Sequence, residues 1–398
     1  MSSTWKIYIL TLISFLVGTS EYVIAGILDQ IAASLSISLV AAGQLITVFS
    51  IVYAFGTPLL IALTARWDRR KLLLSGLGLF VLANGLVFAL PGFTLFLVAR
   101  IIMALGAGIV VVTALTVASS IAPQNKQGSA IATVIMGFTA SLIIGVPIGR
   151  IVAAHFDWKI IFAGIVLLGL VAIIVLWATI PHTQNAAPIP LRQQLAILRS
   201  RTIILALAIS FFWLAGYSIA YTYISPFLLD VTGMNEQTLS AALLAFGIAS
   251  LIGSKLGGYG TDRWGVQRTL VSGMVLHVIA LLLLSTAIHS PIIVFAALML
   301  WSFAAWSSGP TQQYNLVTLA PESASIMLSL NSSVMQLAMA AGAGIGGIVV
   351  GSVSLRAVMW MGAIGVALAI GIIALLARYA RSNCPERHNA EAEELQQA

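Results

Sequence analysis

The chain of 398 residues is 60% hydrophobic and 8% charged, with a net charge of +7. Soluble domains carry about 25% charged residues, so this composition excludes a soluble fold. Lys and Arg sit in short segments between long apolar runs, not in the single patch that a nucleic-acid-binding domain would need.

A helix needs about 20 apolar residues to cross the hydrocarbon core of a bilayer. Twelve runs meet that length, at 7–29, 40–63, 72–91, 94–118, 128–153, 159–180, 202–228, 237–258, 268–288, 290–315, 325–350 and 356–378. The first could pass for a signal peptide, but it lacks a small-residue cleavage site and is read as an uncleaved span. Alternate connecting segments hold Lys6, Arg66, Arg69, Arg70, Lys71, Lys126, Arg192, Arg199, Arg201, Lys255, Arg263, Arg268, Arg378, Arg381 and Arg387. The other connections hold only Arg150, Lys159 and Arg356. This asymmetry places both termini in the cytoplasm. The polar stretch "PHTQNAAPIPLRQQLAILRSR", 181–201, reads as a cytoplasmic linker. It joins a six-helix bundle over 1–180 to a second over 202–378, followed by a cytoplasmic tail, 379–398. The expected fold is an all-α integral membrane protein of twelve transmembrane helices in two pseudo-symmetric bundles.

An internal repeat supports two halves. "TARWDRRKLLLSGLGL", 64–79, aligns without gaps on "TDRWGVQRTLVSGMVL", 261–276. Both copies are expected in the loop after the second helix of their half. Such repeats build many secondary transporters.

Of the twelve acidic residues only Glu21, in "VGTSEYVIAG", lies deep within a span. It sits roughly 21 Å along a core about 30 Å thick. Insertion of an acid there costs about 2.5–3.5 kcal/mol, so exposure to lipid is disfavoured. Ser14, Gly18, Glu21 and Ala25 share one small, polar helix face, which is expected to line a central cavity. Such a carboxyl can take a proton from one side and release it to the other. Arg100 is the one basic residue well within a span; it is read either as a coupling partner of helix one or as a clamp on backbone carbonyls.

In the fifth span, Gly137, Ser141, Gly145 and Gly149 form a small-xxx-small face, and Pro147 is expected to kink the helix. Span eight carries a similar row at Ala245, Ala249, Gly253 and Gly257. In span seven, Trp213, Tyr217 and Tyr221 recur every four residues. Trp301, Trp306, Gln312 and Gln313 in span ten, and Asn331 and Gln336 in span eleven, add rings and amides. Rings stack on, and amides read the edge of, a flat polar heterocycle. His277 in span nine reads as a hydrogen-bonded packing residue.

Cys384 is the single cysteine, so no internal disulfide forms. No HExxH, GxSxG or P-loop pattern appears. An enzyme, an ATP-driven pump and a metal or cofactor site are therefore not expected, and the proton gradient is the expected energy source.

Several motifs together resemble the major facilitator superfamily. "GGYGTDRWGVQR", 257–268, is similar to its loop signature; in the first copy Ala65 stands where that signature has Asp, and Asp68 where it has Gly. "RIIMALGAG", 100–108, and "GFTASLIIGVPIG", 137–149, are similar to its fourth- and fifth-helix signatures. Within the superfamily the chain resembles twelve-span drug:proton antiporters, and 38–65 and 301–336 are most similar to bacterial purine base and nucleoside efflux pumps. Multidrug and sugar efflux members share much of the pattern. The resemblance implies a proton-coupled exporter of small molecules in a bacterial plasma membrane, with uptake by proton symport, which the fold also permits, as the alternative; a monomer is expected. It implies proton coupling by Glu21 and Arg100. It also implies a seal between the halves at Gly145, Pro147 and Gly149, and gating by Arg66, Asp262 and Arg263. Substrate contact falls to Trp213, Tyr217, Tyr221, Trp301, Trp306, Gln312, Asn331 and Gln336.

Overall fold

A computed structural model describes residues 3–64, 66–123, 127–179, 197–286 and 290–382. It contains twelve helices long and apolar enough to cross a membrane. They are α1 (Ser3–Gly26), α2 (Leu39–Leu63), α3 (Arg69–Ala89), α4 (Phe93–Ile121), α5 (127–155), α6 (Lys159–Thr179), α7 (Arg201–Tyr221), α8 (Glu236–Trp264), α9 (Val266–Thr286), α10 (Pro291–Leu319), α11 (Ala324–Ser352) and α12 (Ala357–Ser382). Every expected span is present, with ends shifted by a few residues. Most of the 181–201 linker and the tail beyond residue 382 lie outside the described residues.

Lipid offers the backbone no hydrogen-bond partners, so each span must bond internally. Where helices end, side chains take over: Ser38 accepts from the Ala41 N–H at 3.1 Å, Asp68 from Lys71 at 3.0 Å, and Asn235 from Thr238 at 2.8 Å.

The two bundles repeat one packing plan. In the first, α1 packs on α5, α2 and α3 on α4, and α3 on α6; in the second, α7 packs on α11, α8 and α9 on α10, and α9 on α12. The repeat extends to single bonds. Thr64 and Thr261 each donate to the carbonyl four residues earlier, and Ser75 and Ser272 each to the carbonyl three residues earlier. The second copy departs from expectation in one respect. Residues Thr261–Trp264 belong to the last turn of α8, and the loop shrinks to Gly265 alone. Its φ of 83° is a conformation glycine adopts without cost. In the first copy Asp68 occupies the matching position and caps α3 instead.

Helix α5 is interrupted by a π-turn at Ser141–Gly145, between α-helical stretches Gln127–Ala140 and Val146–His155. Pro147 supplies the reason. It has no N–H, and its ring excludes the carbonyl four residues earlier, that of Ile143. The chain widens one turn there.

The bundles meet where α2 packs on α11 and α5 on α8. Among the described residues, the polar contacts between them lie in the half of the membrane opposite the termini: Ser225 donates to the carbonyls of Ala25 and Gly26, Gln336 to Glu21, and Arg150 to Glu236. This is the closed end of the molecule.

Candidate functional site

Toward the terminal side of these contacts the bundles part around a cavity of about 310 Å³. Its first-bundle wall includes Ser14, Tyr22, Tyr53 and Phe138; its second-bundle wall includes Trp213, Tyr217, Trp306, Gln313 and Gln336. Each wall carries three aromatic rings among aliphatic and small polar residues. Tyr22 and Phe138 meet edge to face at 5.6 Å, and Tyr217 and Trp306 do so at 6.3 Å. The indole N–H of Trp213 has no hydrogen-bond partner, although the residue is 4% exposed.

Glu21 stands one hydrogen bond behind this wall. Gln336 Nε2 donates to its Oε1 at 3.0 Å, across 315 residues of chain and between the two bundles. The other carboxyl oxygen and Gln336 Oε1 have no partner, and both side chains are buried. Of the face expected to line the cavity, only Ser14 does so. Gly18 lies against Ser141 and Phe138 of α5, and Ala25 sits at the closed end, where its carbonyl accepts from Ser225.

Arg100 is fully buried and makes no ion pair with Glu21. Its Nε donates to the Leu45 carbonyl at 3.1 Å and its Nη1 to the Ser20 carbonyl at 2.9 Å; the guanidinium lies 4.1 Å from the Phe49 ring centre. This is the clamp geometry, tying α4 to α1 and α2. It grips the carbonyl of the residue directly before Glu21. Ser20 adds a bond from its hydroxyl to Asn84 Oδ1 at 3.1 Å.

Four of the eight residues expected to touch substrate line the cavity: Trp213, Tyr217, Trp306 and Gln336. Four do not. Tyr221 stacks between Tyr217, at 5.1 Å, and Phe246, at 5.7 Å. A spacing of four residues advances about 40° beyond a full helical turn each time, so by Tyr221 the α7 row has turned off the cavity face. Gln312 is spent on α7, donating to the Ala206 carbonyl at 2.6 Å and to Ser210 at 3.0 Å. Its neighbour Gln313 faces the cavity instead. Asn331 bonds the Met335 sulfur at 3.3 Å.

Trp301 is fully buried behind Tyr217 and donates its indole N–H to His277 Nε2 at 2.7 Å. His277 therefore carries its proton on Nδ1. The pair backs the aromatic wall. Trp301→Phe removes this donor and leaves a buried acceptor unpaired, a cost of about 1–3 kcal/mol. A drop of several degrees in Tm in detergent is the expected result, and His277→Phe in the same background should add little, since the coupled pair is already broken.

The small face of α5 packs within its own bundle, not across to the other. A Cβ on Gly137 would meet the Thr11 carbonyl at 2.2 Å, one on Gly145 the Thr19 hydroxyl at 2.3 Å, and one on Gly149 Val23 at 2.3 Å. All three neighbours are on α1. The α8 row likewise faces α10 at Gly253 and Gly257. The seal between bundles belongs to Gly247 of α8, whose missing Cβ would lie 2.4 Å from Ile143 Cα. Pro147 contributes through the π-turn that brings Ile143 there. At the terminal end, Arg66 and Asp262 are exposed, and Arg263 donates to the Tyr259 hydroxyl at 2.6 Å. No bond joins the three.

Twelve spans in two repeated bundles around a central cavity define a membrane transporter fold. A family model described as "Major Facilitator Superfamily" matches residues 10–327 and 256–397. The chain belongs to the major facilitator superfamily and is a multi-pass secondary transporter, not an enzyme. It is 62% identical over 370 residues to the "Uncharacterized MFS-type transporter YbcL" of Bacillus subtilis (strain 168), covering 93% of this chain and 95% of that one. It is 28% identical to the "Inner membrane transport protein YdhP" of Escherichia coli (strain K12), over 95% of this chain and 97% of the relative. It is 26% identical to a "Probable sugar efflux transporter" of Helicobacter pylori, over 93% of each. Among solved structures, a D-xylose-proton symporter superposes with a TM-score of 0.76 at 18% identity, covering 93% of this chain and 97% of that one. A bacterial homologue of the lysosomal transporter Spinster, inward-facing and occupied, gives 0.74 at 18% identity, covering 94% and 97%. At these identities the likeness is one of fold.

Proposed function

We propose that the protein exports small planar heterocycles, purine bases first among them, in exchange for protons, as a monomer in a bacterial plasma membrane with both termini in the cytoplasm. The observation that carries this reading is the Glu21–Gln336 hydrogen bond. It ties a mid-membrane carboxyl of one bundle to an amide of the other, and that amide also lines the aromatic cavity. A substrate edge on Gln336 competes for this bond, and a proton on Glu21 weakens it by removing the carboxylate's charge. Either event changes how the bundles hold each other, which is the coupling that alternating access requires. Aromatic residues in both walls suit stacking of a flat ligand, and the exposed Gln313 amide in the lining offers a donor and an acceptor for its edge. Arg100 holds helix α1 beside the carboxyl. The Lys and Arg distribution supports cytoplasmic termini, so the cavity lies on the inner side of the seal and Arg66, Asp262 and Arg263 stand apart at the inner end. The "GVPIG" stretch supports export, as does the efflux role printed for the Helicobacter pylori relative.

Tryptophan fluorescence tests the substrate class, since Trp213 and Trp306 line the cavity. Purine bases should quench it saturably and raise Tm, while pentoses and lipophilic cations should do neither. Trp213→Ala should weaken the purine effect about fivefold or more, as loss of one stacked ring implies. Saturable binding of pentoses or cations in place of purines would overturn the assignment.

A further inference from the structure

By its sequence position Arg150 falls among the basic residues of the outer connections. The structure buries it completely inside α5. Its Nη1 donates to Asp29 Oδ1 at 2.6 Å and to the Gly26 carbonyl at 3.2 Å; its Nε and Nη2 donate to Glu236 Oε2 at 3.0 and 2.6 Å. Asp29 lies on the short helix Leu28–Leu35 that continues α1, in the same bundle as Arg150. Glu236 is the first residue of α8, in the other bundle. The guanidinium thus spends one edge on its own half and the other on the opposite half.

The surroundings sharpen this division. Ser225, just beyond α7, donates to the Ala25 and Gly26 carbonyls at 3.0 and 2.9 Å, so Gly26 receives both Arg150 and a second contact from across the interface. Gly247 against Ile143 closes the layer beneath. Asp230, in the turn before α8, is the third carboxylate in the region; partial burial, and then Asp29, push its pKa up. A buried charge left without a partner costs several kcal/mol. Asp29 removes that cost whether or not the bundles touch, because it travels with Arg150. Glu236 is half-exposed at 48% and departs whenever the bundles separate.

We infer that Arg150, Asp29 and Glu236 form the latch of the outer gate: Glu236 is the partner exchanged in each transport cycle, and Asp29 is the resident counter-ion that lets the exchange happen. The inference rests on alternating access and on the proposed orientation, not on the identity of the substrate. It assigns opposite effects to two carboxylates bound to the same guanidinium. Losing Glu236 favours opening of the closed end. Losing Asp29 leaves Arg150 with Glu236 alone and disfavours opening.

The test uses the full chain in vesicles, with Cys384→Ser removing the single native thiol and Val146→Cys placed beneath the latch, where the native side chain is 1% exposed. A membrane-impermeant maleimide is applied to each face separately. Glu236→Gln should raise the labelling rate from the face opposite the termini about fivefold, the effect of about 1 kcal/mol from a half-exposed ion pair. Asp29→Asn should lower that rate or leave it unchanged. If the Val146→Cys site proves unreactive, spin labels at Phe156→Cys and Thr238→Cys report the same equilibrium, with longer distances gaining population in Glu236→Gln only. An unchanged rate and unchanged distances in Glu236→Gln would overturn the latch, as would equal acceleration by both variants, which signals general loosening. Accelerated labelling from the terminal face instead would put the opening at the other end and overturn the latch.

Discussion

Glu21→Gln is expected to abolish substrate accumulation driven by an imposed pH gradient while leaving substrate binding intact. The amide has nearly the same shape as the carboxyl and keeps an oxygen to accept from Gln336, so the bond at 3.0 Å between the bundles survives. What disappears is the capacity to exchange a proton. Uptake into inside-out vesicles should fall to the level of empty vesicles, while ligand-induced fluorescence quenching persists. A variant that still accumulates substrate in response to the pH gradient would remove Glu21 from the coupling step. Loss of both binding and transport would make the carboxyl a substrate contact.

Gly247→Val and Gly145→Leu should fail in different ways, although both add bulk to close helix contacts. A Cβ on Gly247 would lie 2.4 Å from the backbone of Ile143, in the other bundle. Backbone cannot swing aside, so the bundles must separate at the closed end. Each bundle keeps its own core, and transport should vanish with only a small change in Tm. A Cβ on Gly145 would lie 2.3 Å from the Thr19 hydroxyl, inside one bundle. Overpacking there costs about 1–3 kcal/mol, so Gly145→Leu should lower both the yield of folded protein and its Tm. Thermal unfolding and accessibility of the Val146→Cys site from the outer face separate the two. Gly247→Val with a freely sealing outer end would contradict the assignment of the seal.

The spans were legible because twenty apolar residues in a row have few other uses, and the boundaries differ from the helices by only a few residues. Glu21 was legible for the same reason in reverse, as the single acid deep in such a run. Its partner was not: Gln336 lies 315 residues away, and sequence periodicity identifies a face without naming its neighbour. The same limit explains the fifth span. The small face was visible at Gly137, Gly145 and Gly149, yet it packs on α1, and the contact between bundles falls to Gly247, midway between Ala245 and Ala249 of the α8 row and on neither. The four-residue spacing of Trp213, Tyr217 and Tyr221 overstated the aromatic face because α-helical rows drift. Arg150 was hidden by its place near the end of an apolar run, where a buried ion pair and a loop charge read alike. Asp29 and Glu236 are 121 and 86 residues distant.

Proton-coupled export means that substrate and proton move in opposite directions through one site. Proteoliposomes loaded with a purine base and a pH-sensitive dye, with no pH gradient imposed, test it directly. The substrate's own outward gradient is then the sole driving force, in the population inserted with the terminal face toward the lumen. The lumen should acidify as the purine leaves, and Glu21→Gln should eliminate this signal. Efflux through the wild-type protein with no change in lumenal pH, or with alkalinisation, would contradict proton-coupled export.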